Sequence, residues 1–338
     1  HYYGGIRKYQ WLAIPLELHG VIALKNGENV RVSVGNGEND PLFTIDDLLP
    51  HLGAGQAGKT VAEFVPAENL NILVGSRPLA DDDGADRVKI AVLELLNRKY
   101  GIVEEDFISA ELMAVPAYNA RDIGFDRSMI GAYGHDDRVC AYPALMAICE
   151  IQNPDKTAVA ILADKEEIGS VGATGMASHM FENAVAEVVA RLPGGYSDLV
   201  LRRCLANSNM LSSDVNSAYD PLNAGLFDKN NSSYLGGGIV FQKYTGSRGK
   251  SGASDANAEF IAKIRGALDE AKVRYQMAEL GRVDQGGGGT IAYLAAKYGM
   301  NVLDAGVAVM SMHAPWEITH VDDIKQAFEG YKAFLQIE

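Results

Sequence analysis

From Val21 onward the first part of the chain alternates apolar and polar positions. Val21-Ile-Ala-Leu24 leads into Asn26-Gly27, after which Val30, Val32 and Val34 alternate with Arg31 and Ser33. A period of two around Asn-Gly predicts a β-hairpin, because these residues accept the positive φ of a tight turn. Between Asp86 and Lys99 the period lengthens. Val88, Val92, Leu95 and Leu96 share one helical face, and Gly101 stands where a left-handed cap would end the helix. Phe107–Val115 returns to strand character. Together with the Gly-rich stretches 35–40 and 53–58 and the acidic run Asp81–Asp83, residues 1–125 read as a mixed, β-rich module.

Residues 126–338 alternate short apolar segments with amphipathic ones. The pattern predicts strands at Ser128–Gly134, Thr157–Leu162, Val200–Ala206 and Val302–Met310. It predicts helices at Cys140–Ile151, Met180–Leu192, Ser254–Ala271, Ile291–Tyr298 and Asp322–Leu335. Such alternation argues for an α/β domain, a central mixed sheet flanked by helices on both faces. No internal repeat occurs at solenoid periods. The run Gly286–Gly289 is too short for a linker and reads as a tight loop where backbone approaches something closely.

Composition narrows the class. Of 338 residues 47% are hydrophobic and 22% charged, the balance of a globular protein, which rules out wholesale disorder. Lys and Arg number 30 against 44 Asp and Glu, so the net charge of −14 argues against nucleic acid or anionic membrane as partner. No apolar run reaches the ~18 residues of a membrane helix. Cys140, Cys149 and Cys204 form no CxxC or paired framework, which suits a reducing compartment and a cytoplasmic location. The chain starts at His1 without initiator Met or signal-peptide pattern, so an omitted upstream segment is expected.

Ligands in such sheets gather at the carboxyl ends of strands. The predicted strand ends deliver Gly134-His135-Asp136-Asp137-Arg138, then Asp164-Lys165-Glu166-Glu167, then Ser212-Ser213-Asp214, and last Ser311-Met312-His313-Ala314-Pro315. Carboxylates with imidazole form the ligand set of a divalent metal site, and adjacent glutamates let one bind metal while the other serves as base. Taken singly, each is more simply a solvated loop residue; it is their joint placement that argues for a site. Gly246-Ser-Arg-Gly249-Lys250-Ser251 is no phosphate loop, since Walker A needs four residues between its glycines and Tyr244 replaces the first one.

The segments 134–142 (GHDDRVCAY), 164–170 (DKEEIGS) and 311–315 (SMHAP), with Leu211-Ser-Ser-Asp214 and the stretch 69–78 (NLNILVGSRP), resemble the signatures of the aspartyl aminopeptidase family. That family includes vacuolar aminopeptidase I and belongs to the clan of dinuclear zinc exopeptidases. The resemblance runs from Tyr2 to the C-terminal helix and implies roles. Asp136 bridges two metals, and the peptide to Asp137, strained in this clan, aims it. Glu167 and His313 complete one metal, Asp214 binds the other, and Glu166 is the general base. The cofactors implied are two divalent ions, zinc first, with cobalt or manganese acceptable to the same ligands.

The resemblance also implies an aminopeptidase acting on short peptides with a free N-terminus, acidic ones among them. Residues 1–125 correspond to the family's dimerising insertion, although their first residues also suit the catalytic domain. The homo-oligomer implied is a set of dimers in a tetrahedral dodecamer. His51 matches a histidine that reaches a neighbouring subunit's site, and Lys243, Arg248, Lys250 and Gly289 match the substrate-binding segment. One family feature is missing. A His-x-Asp segment upstream of the Tyr-Gly-Gly region supplies a further ligand, and His1, beside Tyr2-Tyr3, does not have that context. Two other readings stay open: a non-catalytic scaffold of the same fold, and a different amide hydrolase of the clan.

Overall fold

The computed structural model describes residues 1–80 and 84–337, so the acidic run Asp81–Asp83 lies outside the described residues. The chain divides into two compact units. One comprises residues His1–Tyr2 and Ile6–Asn119, the other Tyr3–Gly5 with everything from Ala120 onward.

In the first unit β1 (Leu16–Ala23) and β2 (Asn29–Val34) form the hairpin, with Ile22 opposite Val30 and Gly20 opposite Val32. Gly27, at φ 89°, closes the turn by donating its N–H to the Leu24 carbonyl. The short α1 (Val61–Phe64) and then α2 (Arg87–Tyr100) follow. β3 (Ala110–Pro116) completes an antiparallel sheet of order β2-β1-β3. The alternation of β1 and β2 aims Ile22, Val32 and Val34 into one cluster with Ile102, joined by Leu96 and Tyr100 of α2. Gly101 caps α2 in the left-handed region, its N–H bonded to the Asn97 carbonyl. Leu95, expected on the packed face, is instead exposed.

The second unit opens with β4 (Arg121–Ile123), β5 (Met129–Ala132) and α3 (His135–Glu150). Then come α4 (Met180–Arg191), α5 (Asp198–Ala206), β6 (Asn209–Ser212) and β7 (Asn216–Ser217). β8 (Ile239–Gln242), α6 (Ala258–Glu270), β9 (Tyr275–Met277) and α7 (Ala292–Ala296) lead on to β10 (Asn301–Gly306) and β11 (Ala308–Met310). β12 (Glu317–His320) and α8 (Val321–Leu335) end the unit.

Two mixed sheets result, ordered β6-β10-β8-β9 and β4-β5-β12-β11-β7. The segments 209–217 and 301–310 run parallel through both, first as β6 beside β10 and then as β7 beside β11. Residues 302–309 are buried throughout, as expected of strands covered on both faces. On one side Leu303, Ala305 and Val307 pack with Cys140, Ile264, Leu268 and Ala327 from α3, α6 and α8. On the other, Val302 packs with Phe181, Leu201, Leu205, Leu294 and Ala295 from α4, α5 and α7. At the break between the sheets, a Cβ on Gly306 would stand only 1.7 Å from the Asp214 carbonyl oxygen, so the two segments touch backbone to backbone there.

Two strand expectations fail. Val200–Ala206 lies in helix α5, because Ser197 caps it by accepting the Val200 N–H and because Leu201 and Leu205, one turn apart, bury together. Thr157–Leu162 forms no strand. Ile161 and Ala163 lean on the α4/α5 cluster while Val159 and Leu162 stay exposed, a one-sided apolar pattern that fixes a face but not a hydrogen-bonding partner. Among the described residues no helix is long and apolar enough to cross a membrane.

Candidate metal centre

Asp136 and Asp137 occupy the first turn of α3, just after β5, and both depart from helical geometry (φ −79°, ψ 104° and φ −117°, ψ 27°). Their shared peptide bond is cis. Glu166 and Glu167 sit on the 3₁₀ turn Glu166–Ile168, framed by Lys165 and Gly169 in the left-handed region. Asp214 follows β6, at the break between the sheets, and its Oδ1 accepts the Val215 N–H at 2.8 Å. His313 lies in the turn after β11, at φ 65°. Asp214 therefore follows β6 and not the strand expected at 200–206, and Glu166 follows a loop and not a strand.

These segments converge. His313 Nε2 is 3.0 Å from Asp136 Oδ2 and 3.2 Å from Glu167 Oε1. Ligand atoms of Asp136, Glu167 and His313 all lie within 4.8 Å of one another, and so do those of Asp136, Asp137 and Asp214. Asp136 belongs to both groups. Tyr3–Gly5 runs alongside: a Cβ on Gly4 would stand 2.9 Å from Glu167 Oε2, and one on Gly5 2.9 Å from His313 Nδ1. Glycine is what lets that backbone lie against both side chains.

The electrostatics are those of an anionic cluster without enough positive charge. Burial, helped by the Asp136 and Glu166 charges, pushes the Asp214 carboxyl up to about 8. Burial and the Asp214 charge lift Asp137 well above the carboxylate range. Burial, then Glu167 and Asp136, raise Glu166. The hydrogen bond from His313 lowers Glu167. Contacts with Asp136 and Glu167 hold His313 as a cation up to about 10. Asp137 Oδ1 is enclosed without a hydrogen-bond partner. An orphaned carboxylate oxygen beside mutually repelling acids, with an imidazole aimed among them, is a donor set that suits divalent cations.

The other expected site residues are not members of the two ligand groups. His51 lies on the exposed 3₁₀ turn Pro50–Gln56 of the first unit. Lys243 Nζ is held 2.5 Å from Asp255 Oδ1 and 2.8 Å from the Ala256 carbonyl, over the Tyr244 ring, so its charge already has a partner. Arg248 and Lys250 are exposed on the loop 246–251. That loop abuts the glycine run: the Gly246 N–H donates to the Gly288 carbonyl at 2.8 Å, and Gly289 lies beside Gly252.

Sequence reasoning missed Glu317. Only 2% exposed, it accepts the Asp136 N–H on Oε2 at 3.0 Å and the His313 N–H on Oε1 at 2.8 Å. The available signal was an acid flanked by Trp316 and Ile318 four residues after His313, because an acid inside an apolar strand needs a reason.

Comparison with known proteins points to one family. The family model described as aminopeptidase I zinc metalloprotease (M18) matches residues 1–335. A probable M18 family aminopeptidase 1 from Clostridium acetobutylicum is 56% identical over 335 residues, 99% of this chain and 72% of its own length. A probable M18 family aminopeptidase 1 from Thermotoga maritima is 44% identical, over 99% of this chain and 74% of its own. The crystal structure of an M18 family aminopeptidase from Thermotoga maritima superposes with a TM-score of 0.96 over 100% of this chain and 74% of that one, at 44% identity. That of aminopeptidase I from Clostridium acetobutylicum gives 0.92 at 55% identity, covering 99% and 72%. This chain is therefore a member of the M18 family of zinc metalloproteases, the aminopeptidase I family.

Proposed function

We propose that the chain removes N-terminal residues from short peptides, acidic ones among them, with two divalent ions held at one shared carboxylate. The observation that carries this reading is the place of Asp136 in both ligand groups, with Glu166 alongside. Asp136, Glu167 and His313 would hold one ion. Asp136 and Asp214 would hold the other, with Asp137 behind them. Bound zinc ions would supply Lewis acidity toward the scissile carbonyl and make water acidic enough to lose a proton near neutral pH. Glu166 would take that proton on its carboxylate and return it to the departing amine, the base-then-acid duty of such a group. Arg248 and Lys250 are the exposed cations proposed to meet an acidic side chain, while Lys243, paired with Asp255, steadies their loop.

For the first unit we infer a role in homo-oligomer assembly, with dimers building a tetrahedral dodecamer and His51 reaching a neighbouring site. Its exposed Leu48, Leu49, Leu52, Val61, Leu73 and Val74 are the support for a covered surface.

The test is metal analysis and peptidase assay of the full-length protein, with light scattering for its mass. About two zinc ions per chain and release of unblocked aspartyl-, leucyl- or lysyl-p-nitroanilide, with N-acylated versions resistant, are expected. Metal-free protein would favour a non-catalytic scaffold. Cleavage of the blocked substrates would favour another amide hydrolase.

A further inference from the structure

The strand order around Glu317 is what gives that residue its reach. β12 lies between β5 and β11 in one sheet, Glu317 opposite Ala132 and Ile318 opposite Met310. β5 leads directly to Asp136, and β11 leads directly to His313. A carboxylate at the first residue of β12 thus faces both segments as they leave the sheet. Glu317 bonds a main-chain N–H on each, at 3.0 Å for Asp136 and 2.8 Å for His313. The side chains of those residues meet in turn, His313 Nε2 standing 3.0 Å from Asp136 Oδ2. The contacts close a ring in which one carboxylate holds two backbones and the two side chains converge on the opposite side.

Burying a carboxylate this deeply is unfavourable unless its oxygens are well satisfied, and here two main-chain N–H groups satisfy them. Capping two loose amides alone would be a purely structural duty, and Asp323 provides an example. It is fully buried and accepts the N–H groups of Gly236 and Gly238 at 2.8 and 2.7 Å, neither of which is a candidate ligand. The carboxylate of Glu317 differs in choosing the amides of Asp136 and His313. We propose that Glu317 is a positioning residue: by clamping these two backbones it fixes the separation of the shared carboxylate and the imidazole that hold one of the ions, and so sets metal affinity.

This inference rests on the metal-site reading above, and the experiment separates the two. Zinc affinity of the full-length protein is measured by chelator competition for wild type, Glu317→Gln and Asp323→Asn, alongside melting of the metal-free forms. Glutamine keeps the shape of Glu317 but turns an N–H₂ toward one of the two amides, breaking one bond and opposing two donors. The expected result is zinc binding weaker by about 10–100-fold in Glu317→Gln, with activity recovered by added zinc. Asp323→Asn is expected to melt earlier with zinc affinity unchanged.

Zinc affinity in folded Glu317→Gln within about twofold of wild type overturns the clamp. So does a change confined to metal-free melting. If Glu317→Gln does not fold, Glu317→Asp is measured instead, keeping the charge but shortening the reach. Weakened zinc binding in that variant supports the clamp, and unchanged binding overturns it. Failure of both variants to fold also overturns it, by making Glu317 a folding residue first. A wild-type protein that binds no zinc refutes the metal-site reading itself.

Discussion

Asp304 is the sharpest place to test the electrostatics of the second unit. It lies within β10, 2% exposed, and its Oδ1 accepts the Thr290 hydroxyl at 2.6 Å. Burial, opposed by that hydrogen bond, pushes its carboxyl from an ordinary 3.8 up to about 6. A folded-state pKa above the unfolded one means that the folded chain binds the proton more tightly. Stability therefore falls as pH rises through the interval from about 4 to about 6, and no further change comes once both states are ionised. A shift of about two units at 1.36 kcal/mol each corresponds to about 3 kcal/mol. Asn at this position keeps an acceptor for Thr290 but does not titrate. The offset between wild type and Asp304→Asn depends on how the new N–H₂ is accommodated, whereas the slope with pH isolates the ionisation. Urea unfolding of both metal-free proteins, followed by a probe in the second unit from pH 4 to pH 7, should show the variant gaining about 2 kcal/mol on wild type as pH rises, most of the full shift. Asp214, pushed up to about 8 chiefly by burial and only last by the Asp304 charge, stays mostly protonated in the folded chain over this range in both proteins, so its contribution largely cancels. A difference that stays constant across this range would refute the burial argument.

Other outcomes follow from the same contacts. Glu166→Gln should leave zinc content intact while kcat falls at least ~100-fold, and retained activity on unblocked aminoacyl p-nitroanilides would remove Glu166 from its role. Asp136→Ala should deplete both ions, because that residue belongs to both groups; an unchanged zinc count by mass spectrometry would contradict the sharing. Asp323→Ala leaves the Gly236 and Gly238 N–H groups without an acceptor and should lower the unfolding free energy by about 2–4 kcal/mol, read by denaturant melting of the metal-free form.

How far the chain was readable differs from element to element. The β1–β2 hairpin, α2, α4, α6 and α8 have strong local periods and appear near their expected places, and so do α3 and α7, whereas α5 does not. The strand expected at residues 200–206 fails because Val-Leu-Arg-Arg-Cys-Leu is apolar enough for a strand yet lies in a helix. The capping serine that starts a helix there lies outside that window. The convergence of Asp136, Glu167, Asp214 and His313 was legible because all four stand in short polar segments next to apolar ones. Glu317 was not, since its use depends on β12 pairing with β5 and β11, a relation that exists only in three dimensions. Gly4 and Gly5 were opaque for the same reason: nothing nearby in sequence announces that their missing side chains make room for Glu167 and His313.

The triplet Tyr3–Gly5 carries a kinetic consequence. It belongs to the second unit, yet the stretch Ile6–Asn119 separates it from the rest of that unit. On the ribosome it emerges long before Glu167 and His313, the residues against which it comes to rest, have been synthesised. Docking of this triplet is thus a late event in biogenesis, and the candidate metal centre is completed by residues made well before the side chains they meet.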